Sequence, residues 1–391
     1  MSNDYVYLDH AATTPLDERV LEAMLPHLSS GASGNPSSPH APGAAAREAV
    51  EEARESVARL VGALPEEIVF TSGGTESDNL AVLGLGSADP RKRHVVVSAI
   101  EHAAVRGTVE YLEAKGYEVT RIGVDTDGFV SPECFADALR QDTALATVMW
   151  ASNEVGTVQP IEELAEISCE RRVPFHADAV QVAGRAPIDV SRVPVSTLAL
   201  SAHKLYGPQG SGALYVREGV KLRPVFFGGG QEKGLRSGTE NVAGIAGFGV
   251  AARLALEELE ERVRHEEKLR EALIRGALEI PAVQLNGHRK KRLSNNMHLS
   301  VEGVEAESLV LFLDALGYAI GSGSACASSS AGHKASPVLL AMGCSEKEAV
   351  SAVRITVGKD TTEAETNGFL EAFSAAVAQL RELSPLYASK S

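Results

Sequence analysis

Short apolar runs alternate with longer amphipathic stretches along most of this 391-residue chain. Ala44 to Ala63 carries Ala, Val and Leu at helical spacing among Glu and Arg, and predicts an amphipathic helix. Ile68 to Thr71, Val95 to Ala99, Ala144 to Trp150, Val173 to His176, Thr197 to Ser201 and Ala213 to Val216 are near-continuous apolar runs. Runs of that kind suit strands covered on both faces, which predicts a mainly parallel sheet in an α/β domain. From Val242 to about Ile280 the pattern predicts one extended helical stretch, and the change of domain is placed there. Beyond it, a strand at Met297 to Val301 and helices at Ala306 to Leu316 and Thr362 to Leu383 predict a smaller α+β domain. No internal repeat interrupts this order.

Composition narrows the partners. Lys plus Arg total 37 against 52 for Asp plus Glu, a formal net charge of −15. The densest basic run, His288-Arg289-Lys290-Lys291-Arg292, reads as the cap of a surface loop, so no nucleic-acid partner is expected. The four cysteines, at 134, 169, 326 and 344, form no C-x-x-C pair, which argues against a disulfide framework or a structural zinc. Cys134, Cys169 and Cys344 read as small buried or capping residues. No apolar stretch reaches the roughly 18 residues of a spanning helix, and Met1-Ser2-Asn3-Asp4 opens neither a signal nor a transit pattern. The expected compartment is therefore reducing cytoplasm, with no membrane partner.

Ligands of open α/β sheets bind outside the carboxyl ends of the strands, and the residues that follow these apolar runs are polar. Ser72-Gly73-Gly74-Thr75 follows the first, Glu101-His102 the second, Ser152-Asn153-Glu154 the third, Asp178 and Gln181 the fourth, and Ser201-Ala202-His203-Lys204 the fifth. A glycine turn that opens a helix is a natural phosphate seat, and equally a plain strand-to-helix turn with Thr75 as a cap. The Gly-Lys-Ser/Thr ending of a P-loop is missing, and no G-x-G-x-x-G follows a strand. Lys204, crowded behind a strand, has the setting of a Schiff-base amine or of a solvated lysine. Asp178 on a neighbouring strand favours the first: a carboxylate there holds the protonated pyridine nitrogen of pyridoxal 5'-phosphate (PLP), while a lysine carries its aldehyde.

Asp178-Ala179-Val180-Gln181, Ser201-Ala202-His203-Lys204, Gly228-Gly229-Gly230-Gln231-Glu232, Arg236-Ser237-Gly238-Thr239-Glu240-Asn241 and Gly323-Ser324-Ala325-Cys326 occur in that order. Together with Tyr7-Leu8-Asp9-His10-Ala11-Ala12-Thr13-Thr14-Pro15, they resemble the cysteine desulfurases of the NifS/IscS type, in the class V aminotransferase family. The resemblance implies the α/β fold type I of PLP-dependent transferases. Its large domain, 15–255, would hold a mainly parallel seven-stranded sheet flanked by helices. A smaller α+β domain, 1–14 with 256–391, would carry the catalytic cysteine. It also implies roles. Lys204 is the covalent attachment of PLP, His102 stacks on the ring, Asp178 pairs with the pyridine nitrogen and Gln181 bonds the phenolic oxygen. Thr75, Ser201 and His203 hold the phosphate, with Gly74 and Asn153 among the cofactor contacts. Thr239 reaches the cofactor of a neighbouring subunit in a homodimer. Asn153 and Arg354 receive the carboxylate of L-cysteine, which suits the bidentate fork of an arginine.

By the same resemblance Cys326 is the sulfur acceptor, with His102 as an acid-base participant beside it. Gly321 to Gly332 has only small residues around one thiol, a composition expected of a mobile loop. Lys204 would remove the α-proton, and the Cys326 thiolate would take the substrate sulfur as a persulfide and release alanine. The persulfide would then serve a sulfur-acceptor protein such as an iron-sulfur scaffold. Two departures stand out. The family's Glu-Pro-Ser-His after the cysteine is replaced by Gly332-His333-Lys334-Ala335-Ser336-Pro337 in a longer segment, and its Asn-Asn-Glu is Ser152-Asn153-Glu154. Alternatives are a selenocysteine lyase, another class V aminotransferase or a non-catalytic scaffold. A transaminase has no use for the Cys326 thiol, and a scaffold has none for Lys204. No metal is expected.

Overall fold

The apolar runs become a seven-stranded sheet in the computed structural model, which describes residues 5–29, 34–322 and 335–384. The strands in chain order are β1 (Val6–Tyr7), β2 (Ile68–Thr71), β3 (His94–Ser98), β4 (Glu118–Ile122), β5 (Thr143–Thr147), β6 (Phe175–Asp178), β7 (Thr197–Ser201), β8 (Gly212–Val216), β9 (Val283–Leu285), β10 (Asn296–Val301), β11 (Tyr318–Ala319), β12 (Gly321–Ser322) and β13 (Ala352–Thr356). The large sheet has the order β2-β8-β7-β6-β5-β3-β4. Only β8 runs against its neighbours, so β2, reversed twice relative to β7, points its carboxyl end the same way as β3, β5, β6 and β7. Successive side chains of a strand face opposite layers. Val96, Ala146 and Phe175 accordingly join one core, while Val95, Val97 and Leu145 meet Val82, Leu85, Val105 and Leu112 in another.

In the large sheet the strand missed by the apolar pattern is β4. It lies at the sheet edge with Glu118 and Arg121 exposed, Val119 and Thr120 half-buried and only Ile122 buried, so it lacks the continuous burial that marks a strand covered on both faces. The run Ala144 to Trp150 is strand only to Thr147, and the run Val173 to His176 is shifted, so that Asp178 is itself the last residue of β6. The single helix expected from Val242 to Ile280 is two, Val242–Glu257 and Leu259–Leu278, broken at Glu258.

A second sheet, β12-β13-β10-β9, is antiparallel throughout. Its core takes Met297, Leu299, Val353 and Ile355 from the strands, Phe369 and Phe373 from the helix Glu363–Leu383, and Leu8 from the N-terminal segment. That segment pairs β1 with β11, bridges Asp9 to Thr356, and then crosses to the large sheet, where Thr14 donates to the carbonyl of His203. The basic run is not all surface. Arg289 pairs with Glu271, but Arg292 is buried and donates to the carbonyls of Val155 and Asn286. Glu232 is likewise internal: it takes both arms of Arg54 at 2.8 Å and the Phe70 amide at 2.8 Å, fixing the Gly228–Glu232 segment against β2.

Candidate active site

The carboxyl ends of the large sheet bring four of the expected groups together. Asp178 closes β6 and is buried, its Oδ1 accepting from the Val180 amide at 2.9 Å. His102, four residues beyond β3, caps the helix Ala103–Ala114 by accepting from the Ala104 amide at Nδ1. One oxygen of Asp178 and one ring nitrogen of His102 lie within 4.8 Å of each other. Lys204 follows β7 on a short 3-10 turn, with Nζ donating to the carbonyls of Ala11 and Ala12, each at 2.6 Å. Gln181 donates to the same Ala11 carbonyl, which leaves its buried Oε1 with no partner.

The helix Gly74–Gly86 starts directly beyond β2 and exposes its first amides at this end of the sheet. Its cap is Gly73, not Thr75, which is the second residue of the helix. The backbone here is too close to its neighbours for side chains: a Cβ on Gly212 would stand 2.5 Å from Gly73 Cα, and one on Gly74 would stand 2.7 Å from Val180 Cγ2. Ser201, buried at the end of β7, lies next to this turn. His203 Nδ1 meets Thr13 Oγ1 at 3.0 Å.

The opposite wall comes from far away in sequence. Arg354, 2% exposed on β13, donates from Nη2 to Asp9 Oδ1 and from Nη1 to the Asn153 carbonyl, each at 2.8 Å, while its buried Nε has no partner. The Arg354–Asp9 ion pair is thus internal. Next to Asn153, the half-buried Glu154 accepts a hydrogen bond from Ser336, the cap of the helix Pro337–Ala341.

Burial and the surrounding charges set the protonation states. Lys204 is pushed down to about 7, mainly by burial and then by Arg354 and Arg185, against the pull of Asp9 and Asp178. Its amine is therefore substantially neutral near neutral pH. His203 is lowered to about 4 by burial and by Lys204. Burial raises Asp178, opposed by His102, the Val180 amide and Lys204. Burial also raises Glu101 and Glu154 to about 7 each. A neutral amine, a buried carboxylate and a helix start at one end of a sheet suit an aldehyde that carries both a basic ring nitrogen and a phosphate.

The aminotransferase class-V family model matches residues 6–369. Cysteine desulfurase IscS of Methanosarcina thermophila is 46% identical over 385 residues, spanning 98% of this chain and 95% of the relative. The protein of that name from Neisseria meningitidis serogroup C is 47% identical over 386 residues, 98% and 94% of the two chains. The chain belongs to the class-V aminotransferase family, in its cysteine desulfurase branch. Solved structures agree with it in fold. A NifS-like protein superposes with a TM-score of 0.90 at 37% identity, over 96% of this chain and all of that one. A structure titled SspA in complex with cysteine gives 0.78 at 36% identity, over 91% and 100%.

Of the residues expected to serve a cysteine desulfurase, His102, Asp178, Gln181, Ser201, His203 and Lys204 gather at the sheet ends, with Gly74 and Thr75 on the adjoining helix and Asn153 and Arg354 opposite. Thr239 is exposed, outside the buried cluster of its own chain. Cys326 lies outside the described residues. Cys134 and Cys169, expected to be buried or capping, are exposed on helices, and Cys344 is half-buried. Sequence reasoning missed Asp9, the Ala11 and Ala12 carbonyls, Arg185 and Asp78. The Tyr7–Pro15 motif is the one visible signal for Asp9, Ala11 and Ala12; Arg185 and Asp78 have none.

Proposed function

We propose that the chain binds PLP and takes sulfur from L-cysteine, leaving L-alanine and a persulfide on Cys326. The observation that carries this reading is Lys204: an amine held near neutrality within the field of Asp178, at the end of a mainly parallel sheet where Asp178 and His102 also meet. The residues fit the cofactor on their own terms. Gln181 Oε1 lacks a partner, Gly212 and Gly74 pack too closely against Gly73 and Val180 to carry side chains, and Asp178 is a buried carboxylate without a bonded cation among the described residues. When bound, PLP supplies an aldehyde for the substrate amine and a cationic ring that draws electrons from the α-carbon.

The chain's own groups do the rest. Asp178 would hold the proton on the ring nitrogen, His102 would stack on the ring and Gln181 would meet the phenolic oxygen. The helix start at Gly74 and Thr75, with Ser201 and His203, would hold the phosphate. The Thr13 hydroxyl accepts from Gln209 and meets His203 Nδ1; with that nitrogen as the acceptor, the neutral ring would have Nε2–H to offer the phosphate. Arg354 and Asn153 would receive the substrate carboxylate, and the neutral Lys204 amine would take up the α-proton. The Cys326 thiolate forms a bond to the substrate sulfur as the carbon–sulfur bond breaks, and that bond's electron pair stays with the carbon fragment that leaves as alanine.

Both ends of the segment bearing Cys326 support this role. Gly321 pairs with Arg354 on β13 just before it, and Ser336 bonds Glu154 beside Asn153 just after it. The division into 15–255 and 1–14 with 256–391 is part of the reading, supported by the helix break at Glu258 and by separate cores on the two sides. So is a homodimer completed by Thr239, supported by the exposed Phe226 and Phe227 next to the Gly228–Gly230 run. No helix among the described residues is long and apolar enough to cross a membrane. We place the enzyme in the cytoplasm, feeding a sulfur-acceptor protein such as an iron-sulfur scaffold. The test is Cys326→Ala with L-cysteine and reductant, assaying alanine and sulfide together. Loss of both products with PLP still bound is expected, and undiminished desulfuration removes Cys326 from the reaction.

A further inference from the structure

Three buried carboxyls crowd the inner side of this site, and the chemistry above uses only one. Asp78, on the second turn of the helix Gly74–Gly86, is 1% exposed. One of its oxygens, one of Asp178 and a ring nitrogen of His102 all lie within 4.8 Å of one another. Its Oδ1 meets His176 Nε2 at 3.2 Å, and His176 Nδ1 meets Thr197 Oγ1 at 2.9 Å, a chain running from β7 through β6 to the helix. Glu101 stands behind, accepting from the Ser98 hydroxyl and the Met149 amide.

Two carboxylates this close in a dry setting do not both stay ionised; one proton is retained, and the neighbours decide where. Asp178 is favoured as the ion by the Val180 amide, His102 and Lys204. Burial first, and then Asp178 and Glu101, oppose the ionisation of Asp78 and hold it well above the usual carboxylate range. Its hydrogen-bond partner gives no compensating charge: burial lowers His176 to about 3, so the ring is neutral. A neutral His176 keeps one ring N–H: with Nε2 donating to Asp78 Oδ1 the acid proton sits on Oδ2, and with Nε2 accepting it sits on Oδ1, so a protonated Asp78 satisfies either tautomer.

We propose that Asp78 carries the proton of the Asp78–Asp178 pair and is a positioning residue, keeping Asp178 the ionised carboxylate that faces the cofactor's ring nitrogen. This rests on the PLP reading above. Moving the proton to Asp178 would remove the charge that holds the ring nitrogen protonated.

Asp78→Asn tests it, because asparagine keeps a donor and an acceptor yet cannot ionise. In the holoenzyme at about pH 8.5, above the Glu101 and Glu154 range, infrared spectra of wild type should show a carboxylic-acid band that Asp78→Asn removes and Asp178→Asn retains. Nitrogen NMR of isotopically labelled PLP should show the ring nitrogen still protonated in Asp78→Asn, with PLP affinity within about threefold of wild type, and deprotonated in Asp178→Asn. An acid band that survives Asp78→Asn and vanishes in Asp178→Asn overturns the proposal, as does a ring nitrogen deprotonated in Asp78→Asn. Wild type that binds no PLP overturns the cofactor reading instead, and the two failures are thus distinct.

Discussion

The large sheet and the small sheet furnish the site in different ways. The large sheet supplies groups close along the chain to the ends of buried strands: Asp178 on β6, Lys204 just beyond β7, His102 just beyond β3. Their positions follow from strand packing, and burial sets their protonation. The small sheet supplies one guanidinium, and that group is useful only because other segments reach it. Arg354 is aimed by Asp9, 345 residues away in sequence, and by the Asn153 carbonyl. The strap from Asp9 to Thr14 joins the two regions, with its carbonyls on Lys204 and its Thr13 hydroxyl on His203. A cofactor side built into one sheet is paired with a substrate side assembled across two.

The sharpest way to break this division is Asp178→Asn. It should lower kcat by roughly 10²–10⁴-fold, with KM for cysteine changed far less; a pure KM effect would put Asp178 on the substrate side. Arg354→Lys should do the reverse, raising KM roughly tenfold to a hundredfold, since a lysine loses the bidentate fork and a charged hydrogen bond. An unchanged KM would leave Arg354 a purely structural partner of Asp9. Only the neutral Lys204 amine attacks an aldehyde, so the rate of PLP recapture by stripped protein should climb with pH and level off above about 7. A midpoint near the ordinary lysine value would mean the amine is solvated.

The smallest effect concerns the seam. Glu154 is raised to about 7 by burial, so the folded state holds its proton where the unfolded state does not, and stability falls as pH rises from the ordinary glutamate value through 7. Glu154→Gln should therefore raise the Tm at about pH 8.5, by the equivalent of 1–3 kcal/mol, and change it little at about pH 5. Equal shifts at both pH values would mean that the carboxyl is not titrating in this range.

The same contrast explains what the chain disclosed before its structure. Central strands such as His94–Ser98 and Thr197–Ser201 were legible because burial on both faces demands unbroken apolar runs. The edge strand Glu118–Ile122 was not, since its half-exposed pattern has no such demand. Lys204, Asp178 and His102 were legible as polar residues at strand ends. Asp9 and the Ala11 and Ala12 carbonyls were not: backbone oxygens have no residue signature, and a contact across 345 positions has no periodicity. Asp78 escaped notice for another reason. It sits in the polar start of a helix, after Thr75-Glu76-Ser77 and before Asn79, where an acid reads as a solvated face, yet it is turned inward toward His176.

The central claim is that Lys204 is the amine that meets the cofactor. Reducing the PLP-loaded enzyme with borohydride and mapping its peptides by mass spectrometry tests this directly. The account predicts one pyridoxyl group per chain, on Lys204. A pyridoxyl group on any other lysine, or none on a protein that has bound PLP, would contradict it.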